Sequence, residues 1–196
     1  MINNASHSIL LVSSSEKGVE AITKLIEQAG CASAYTVKNA GEARRILSVR
    51  HFDIIIINAP LSDEFGTELA LQTSETSCSG IMMIAKSDIS ELIAAKTEDL
   101  GVVTVAKPID RTLFHHTLKL LCVMQDKFAA LENENKKLKM KLDEIKLVQR
   151  AKKVLMECLK MSEPQAHRYI EKQAMDMRIT RYEVANSIIK TYTDTY

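Results

Sequence analysis

Residue types that could do chemistry are thinly spread in this chain. The four cysteines, Cys31, Cys78, Cys122 and Cys158, are scattered and form no C-x-x-C pair for a metal or a redox cycle. They read as reduced, buried thiols. No nucleophile and base converge by spacing, no glycine-rich phosphate loop is present, and the sequence lacks metal-ligand spacing. His167 has no neighbouring ligands and is not expected to bind a metal. These features point away from an enzyme and imply no cofactor.

Recognition remains, and charge is its first index. The 196 residues carry 26 Lys and Arg against 25 Asp and Glu, a formal net charge of +1. Spread evenly, that balance would argue against a nucleic-acid partner. It is not spread evenly: residues 136–196 hold 14 basic and 8 acidic side chains, and residues 1–135 hold 12 and 17. A basic end on an acidic carrier suits phosphate contact and counterion release. The overall composition, 46% hydrophobic and 26% charged, is that of an ordinary globular protein. The opening segment MINNASHSILLVSSS lacks a signal-peptide pattern, and no apolar run reaches about 18 residues, so a cytoplasmic protein without membrane contact is expected.

The elements that must position any site fall into two patterns. Ile9 to Val12, Ile54 to Ile57, Ile81 to Ile84 and Val102 to Val105 are short β-rich runs, with a weaker run from Ala32 to Val37. Amphipathic stretches such as Val19 to Ala29 and Ala40 to Val49 lie between them. This repeat predicts an α/β domain, a five-stranded doubly wound parallel sheet with helices on both faces. From about residue 109 the β-rich runs cease, and no proline occurs between Pro108 and Pro164, which predicts one long helix. On it, Leu121, Phe128, Asn135 and Leu142 take heptad positions a, and Met124, Leu131, Leu138 and Ile145 take positions d. A buried Asn135 favours a parallel, in-register homodimer, and Lys127 with Glu132 and Glu134 with Lys139 would pair across it; Lys141 facing Lys146 is the exception. The other reading of this helix is a surface helix packed on its own domain.

Two capping boxes follow, Ser162-Glu163-Pro164-Gln165 and Thr180-Arg181-Tyr182-Glu183. They predict helices over 163–178 and 181–191, closing an all-α three-helix unit with the end of the long helix. In it Ala151, Val154, Leu155 and Leu159 would face Ala166, Tyr169, Ile170 and Ala174, and both sets would face Val184, Ala185, Ile188 and Ile189. Met140, Met156, Met161, Met175 and Met177 read as core or interface filler. The boundaries are therefore 1–120 for the sheet domain, 121–148 for the coiled coil and 149–196 for the helical domain.

Over residues 8 to 120, a first strand ending at Val12, a third ending at Asn58, Gly66 in the loop beyond it, a fourth ending near Ala85 and a fifth followed by Lys107-Pro108 resemble a response-regulator receiver domain. The resemblance implies two metal-binding acids after strand one, a phosphate-accepting aspartate after strand three and a hydroxyl residue after strand four. Here Ser13 and Ser14, Asn58 and Ala85 occupy those positions, and only Lys107 keeps the family residue. An amide cannot form an acyl phosphate, and two hydroxyls poorly replace two carboxylates around Mg²⁺. The expectation is a pseudo-receiver that aspartyl phosphorylation does not control; Asp53 and Asp63 sit badly for the role, one before the strand and one in the following loop.

Residues 146 to 192 include Ala151-Lys152-Lys153-Val154-Leu155-Met156, Glu163-Pro164-Gln165-Ala166-His167-Arg168-Tyr169-Ile170, Gln173-Ala174-Met175-Asp176 and Val184-Ala185-Asn186-Ser187-Ile188-Ile189. They resemble the ANTAR domain of AmiR/NasR-type transcription antitermination regulators, with Lys153 where that family often has Gly. The order receiver, coiled coil, ANTAR is also similar. The resemblance implies a dimer that binds paired stem-loops in a leader mRNA and prevents terminator formation, with a regulatory protein as a further partner. Lys152, His167, Arg168, Lys172 and Arg178 are the candidate RNA-binding residues, since cations meet phosphate and planar groups stack on loop bases. Lys152 and Lys172 can also be solvated charges, Arg178 a complement to its helix dipole, and Tyr169 either a core or a stacking residue. A DNA-binding regulator and a protein-interaction adaptor stand as alternatives.

Overall fold

Four isoleucines in succession, Ile54 to Ile57, leave no polar face to a strand, so both its sides must be covered. The computed structural model describes residues 7–31 and 33–193; residues 1–6 of the opening segment and Ala32 of the expected second strand lie outside them. Strands β1 (Ile9–Ser13), β2 (Tyr35–Val37), β3 (Ile54–Asn58), β4 (Gly80–Lys86) and β5 (Val102–Lys107) alternate with helices α1 (Glu16–Gln28), α2 (Ala40–Leu47), α3 (Thr67–Thr76) and α4 (Ser87–Thr97). Then come α5 (Arg111–Leu159), α6 (Glu163–Met177) and α7 (Arg181–Thr193). The sheet is parallel throughout, in the order β2-β1-β3-β4-β5, as the doubly wound expectation requires.

Alternation of side chains along each strand divides the core into two layers. Leu10, Val12, Ile55 and Ile57 pack with Ala40 and Ala43 of α2, Leu69 and Ala70 of α3 and Ile93 of α4. Ile9, Leu11, Ile54 and Ile56 pack with Ile22 and Ile26 of α1 and with Phe114, Leu118, Leu121 and Cys122 of α5. Leu121 is thus 3% exposed and committed to the sheet, against the expectation that it opens the coiled-coil seam. The physical reason is close packing: a Cβ at Gly80 would stand only 3.2 Å from a Leu121 methyl group. Of the thiols expected to be buried, Cys31 and Cys122 are, whereas Cys78 and Cys158 are exposed.

Helix α5 runs for 49 residues with no glycine or proline to interrupt it, and Asp110 caps its start by accepting the Leu113 N–H at 2.7 Å. The chain divides into two compact units, Met1–Ala129 and Ala130–Tyr196. The second is a three-helix unit around Ala151, Leu155, Ala166, Ile170, Ala174, Val184, Ala185, Ile188 and Ile189. Its alanines let the helices approach closely. Gln165 accepts the Ser162 N–H at 2.8 Å, and Thr180 and Glu183 form a reciprocal box, with Glu183 accepting the Thr180 N–H at 2.8 Å and Thr180 accepting the Glu183 N–H at 3.2 Å. Leu159 and Tyr169, which the pattern places in the helical core, are 43% and 38% exposed; of the methionines read as core or interface filler, Met161 packs on this core, while Met140, Met156, Met175 and Met177 are 38–78% exposed in the single chain.

One loop acid closes a helix of the first unit. Asp63, in the loop after β3, accepts the Ala40 and Gly41 N–H groups at 3.0 and 2.9 Å and so closes the exposed start of α2. Those two backbone hydrogen bonds hold its carboxyl below the usual aspartate range. A depressed folded pKa contributes stability above the unfolded pKa and loses it as pH falls through the folded one. Asp63→Ala is expected to lower the melting temperature at neutral pH, with the difference from the parent protein shrinking as the pH falls below the usual aspartate range toward the depressed folded pKa.

Candidate functional site

In open parallel sheets, ligands gather at the carboxyl ends of the strands where the order reverses, here between β1 and β3. Register places Ser13 directly beside Asn58 at that edge. Both are buried, and the Asn58 amide donates to the Ser13 hydroxyl at 2.9 Å. The Ser13 hydroxyl donates to the Ser15 carbonyl at 3.3 Å, while exposed Ser14 donates to the Pro60 carbonyl at 3.3 Å. Gly18, in the first turn of α1, closes the space from above: a Cβ there would lie 2.5 Å from the Asn58 amide nitrogen and 3.2 Å from the Ser13 hydroxyl oxygen. Sequence reasoning passed over Gly18, because a lone glycine in a helix gives no sign of what it approaches.

Ala85 is buried at the end of β4 and presents a methyl group where a hydroxyl would be needed. Lys107 donates to the Ala59 carbonyl at 2.6 Å; burial, with some repulsion from Lys86, lowers its pKa. Asp53 accepts the Ser8 N–H and hydroxyl, both at 2.7 Å, and Asp63 caps α2, so neither acid serves this edge. Between β1 and β3 the edge is filled by the neutral Ser13 and Asn58 side chains, hydrogen-bonded to each other. The carbonyl oxygen of Asn58 is buried with no hydrogen-bond partner among the described residues.

The second unit presents its cations elsewhere. Arg168 and Lys172, one turn apart on α6, point away from the Ala166, Ile170 and Ala174 stripe; both are exposed, with no carboxylate partner among the described residues. Arg178 is exposed at the end of α6 in a left-handed conformation, φ 55° and ψ 41°. His167 is half-buried, its Nε2 lying 3.3 Å from Glu171. Lys152 departs from expectation. Its side chain is only 10% exposed, and its ammonium lies 3.2 Å from Glu163, so it joins α5 to the start of α6 and is withdrawn from solvent. Tyr169 departs in the other direction, at 38% exposure beside Arg168 in the chain.

The fold reveals cations that single-motif reading missed. Lys139, Lys146, Arg150 and Lys153 are all exposed, and their spacing of seven, four and three residues puts them on one side of α5. That spacing was visible in the sequence but was overshadowed by the apolar heptad. The heptad itself, from Met124 through Phe128, Leu131, Leu138 and Leu142 to Ile145, stays 43–59% exposed in the single chain, with Asn135 exposed in the same row.

A 2-1-3-4-5 parallel sheet defines a receiver-like fold, and an all-α unit follows it in the chain. Solved structures agree on the fold: the signal receiver domain of an HD domain-containing protein from Pseudomonas fluorescens Pf-5 superposes with a TM-score of 0.57 at 19% identity, covering 64% of this chain and 93% of that one. The receiver domain of Francisella response regulator 1452 gives 0.54 at 15% identity, over 61% and 98%. Residues 136–189 match the ANTAR domain model. Over 150 residues the chain is 25% identical to the transcriptional regulatory protein PdtaR of Mycobacterium tuberculosis, spanning 76% of this chain and 73% of that protein. The chain therefore joins a receiver-like fold to a segment that matches the ANTAR domain, and it is similar over most of its length to a transcriptional regulatory protein. Among the described residues, no helix is long and apolar enough to cross a membrane.

The Lys152 ion pair generates a direct test. Glu163→Ala leaves an ammonium in a nearly closed site without its acid partner, and should destabilise the second unit by about 1–2 kcal/mol. Urea unfolding of the full chain, followed by far-ultraviolet circular dichroism, measures it.

Proposed function

We propose that this protein is a transcription antitermination regulator that binds paired stem-loops in leader RNA as a homodimer, without control by aspartyl phosphorylation. The observation that carries the RNA assignment is the ANTAR match falling on the one part of the chain with a surplus of cations. Arg168, Lys172 and Arg178 are the proposed phosphate and base contacts, with His167 beside them. Lys139, Lys146, Arg150 and Lys153 extend the basic surface along α5, and Tyr169 offers an exposed ring for a loop base. Lys152 holds α5 against α6, a positioning role in place of direct contact.

The dimer rests on the exposed α5 row from Met124 to Ile145. Six apolar side chains at heptad spacing gain burial in a two-stranded coiled coil, and Asn135 fixes parallel register by pairing with its copy. Input then has to reach the receiver-like domain by binding, for example of a regulatory protein, because Asn58 supplies no nucleophilic carboxylate and Ser13 and Ser14 supply no charge for a divalent cation.

The full chain should bind a two-hairpin leader RNA with a steep loss of affinity as salt rises. Arg168→Ala and Lys172→Ala should each weaken binding and reduce the salt slope by about 1. Filter binding across a salt series reads both effects; tight retention of duplex DNA without preference for RNA overturns the assignment.

Phosphorylation is tested separately. Incubated with acetyl phosphate and Mg²⁺, the protein and its Asn58→Asp variant should both stay unlabelled, because the variant restores a nucleophile without a metal site. Stoichiometric labelling of the parent protein, seen as an added phosphate by intact mass, overturns the claim.

A further inference from the structure

We propose that the first unit carries a small-molecule site, a cavity at the amino ends of β3 and β4 that takes an aromatic carboxylate. Helices α2 and α3 both end at this cavity, and Phe52, Ser77 and Ser79, on the segments that lead into β3 and β4, line its sheet side. Its volume is about 450 Å³, within the range of small-ligand pockets. Ser13 and Asn58 stand at the other end of the strands, so the cavity is separate from the edge where phosphate chemistry has been lost. It shares no residue with the proposed RNA contacts and stands or falls independently of them.

The lining sorts by chemistry. Leu47, Phe52 and Leu69 supply apolar surface. The hydroxyls around them already give their protons to main-chain carbonyls: Ser48 to Arg45 at 2.8 Å, Thr73 to Leu69 and Thr76 to Gln72 at 2.7 Å, Ser77 to Thr73 at 2.9 Å and Ser79 to Phe52 at 2.7 Å. With those protons spent, they offer an occupant lone pairs, which suit an N–H or O–H and repel an anion. Positive charge comes from one segment. Arg50 and His51 are exposed on the cavity lining, with no carboxylate partner among the described residues. The Arg50 guanidinium lies 4.9 Å from the centre of the Phe52 ring and 5.7 Å from that of Tyr35, a stack that leaves its N–H edge open to a carboxylate. Arg44 is already committed, donating from Nε to Gln72 at 2.8 Å and from Nη2 to Glu64 at 2.7 Å. No acid lines the cavity among the described residues. A carboxylate therefore belongs beside Arg50 and His51, and the ring that carries it against Leu47, Phe52 and Leu69. A free phosphate, charged on every side, would meet the hydroxyl lone pairs and gain nothing from the apolar surface.

The test titrates the isotope-labelled full chain with indole-3-acetate and, separately, with its neutral analogue indole-3-acetamide, and follows backbone amide resonances by nuclear magnetic resonance. The indole N–H suits the hydroxyl lone pairs, and the two probes differ in charge alone. Both should shift the amides of residues 47–52 and 73–79 saturably. The acid should bind about tenfold more tightly than the amide, the effect of one charge-assisted pair. Arg50→Gln, at an exposed position, should erase that preference, and Thr76→Trp, which places a ring in the mouth of the cavity, should abolish the binding of both probes. Absence of saturable shifts in those two segments, equal affinity of the parent protein for acid and amide, or an acid preference that survives Arg50→Gln overturns the proposal.

Discussion

Burial of β3 on both faces is the constraint on which the first unit depends. Each of its four isoleucines contributes about 1.5–3 kcal/mol only if water is kept from both sides of the sheet. The chain meets this with helices alternating between the layers, and α5 covers the face that α1 leaves open. The first turns of α5 are therefore core residues. Phe114, Leu118, Leu121 and Cys122 belong to the sheet, and the apolar row that follows begins only where that obligation ends, at Met124.

A second division runs along the chain in charge. In the receiver-like unit, three ionisable groups near the sheet serve structure. Asp63 closes a helix, Asp53 holds the start of β1, and Lys107 holds a loop carbonyl. The helical unit leaves most of its cations in solvent and encloses only Lys152, beside a carboxylate. Identical residue types thus serve opposite ends, and burial separates them better than identity does. An exposed arginine on α6 is available to a polyanion; a lysine with 10% of its side chain exposed is part of the architecture.

Much of this was legible in the sequence because the strongest signals were local. Apolar runs bounded by turn residues marked β1, β3, β4 and β5, and S/T-x-x-E/Q boxes marked the starts of α6 and α7. The empty positions around Asn58 were also legible, since they depend on side-chain identity at strand ends. What escaped depended on contacts distant in sequence. Leu121 fits a heptad perfectly well in one dimension and is claimed by Gly80 and the sheet in three. Lys152 has the spacing of a surface cation, yet Glu163 from the next helix draws it in. Gly18 gains its meaning from an amide forty residues later.

The amide at the end of β3 also removes a clock. A covalent acyl phosphate persists until its bond is hydrolysed, so a domain that carries one remembers a stimulus for as long as that chemistry allows. An amide at Asn58, hydrogen-bonded to Ser13, cannot form that bond. Under the proposed function the state of this domain would follow instead from what is bound to it at each moment, and its memory would be the residence time of that partner. A regulator of that kind would need no phosphatase to reset it, and would follow a fall in its signal as fast as the complex dissociates.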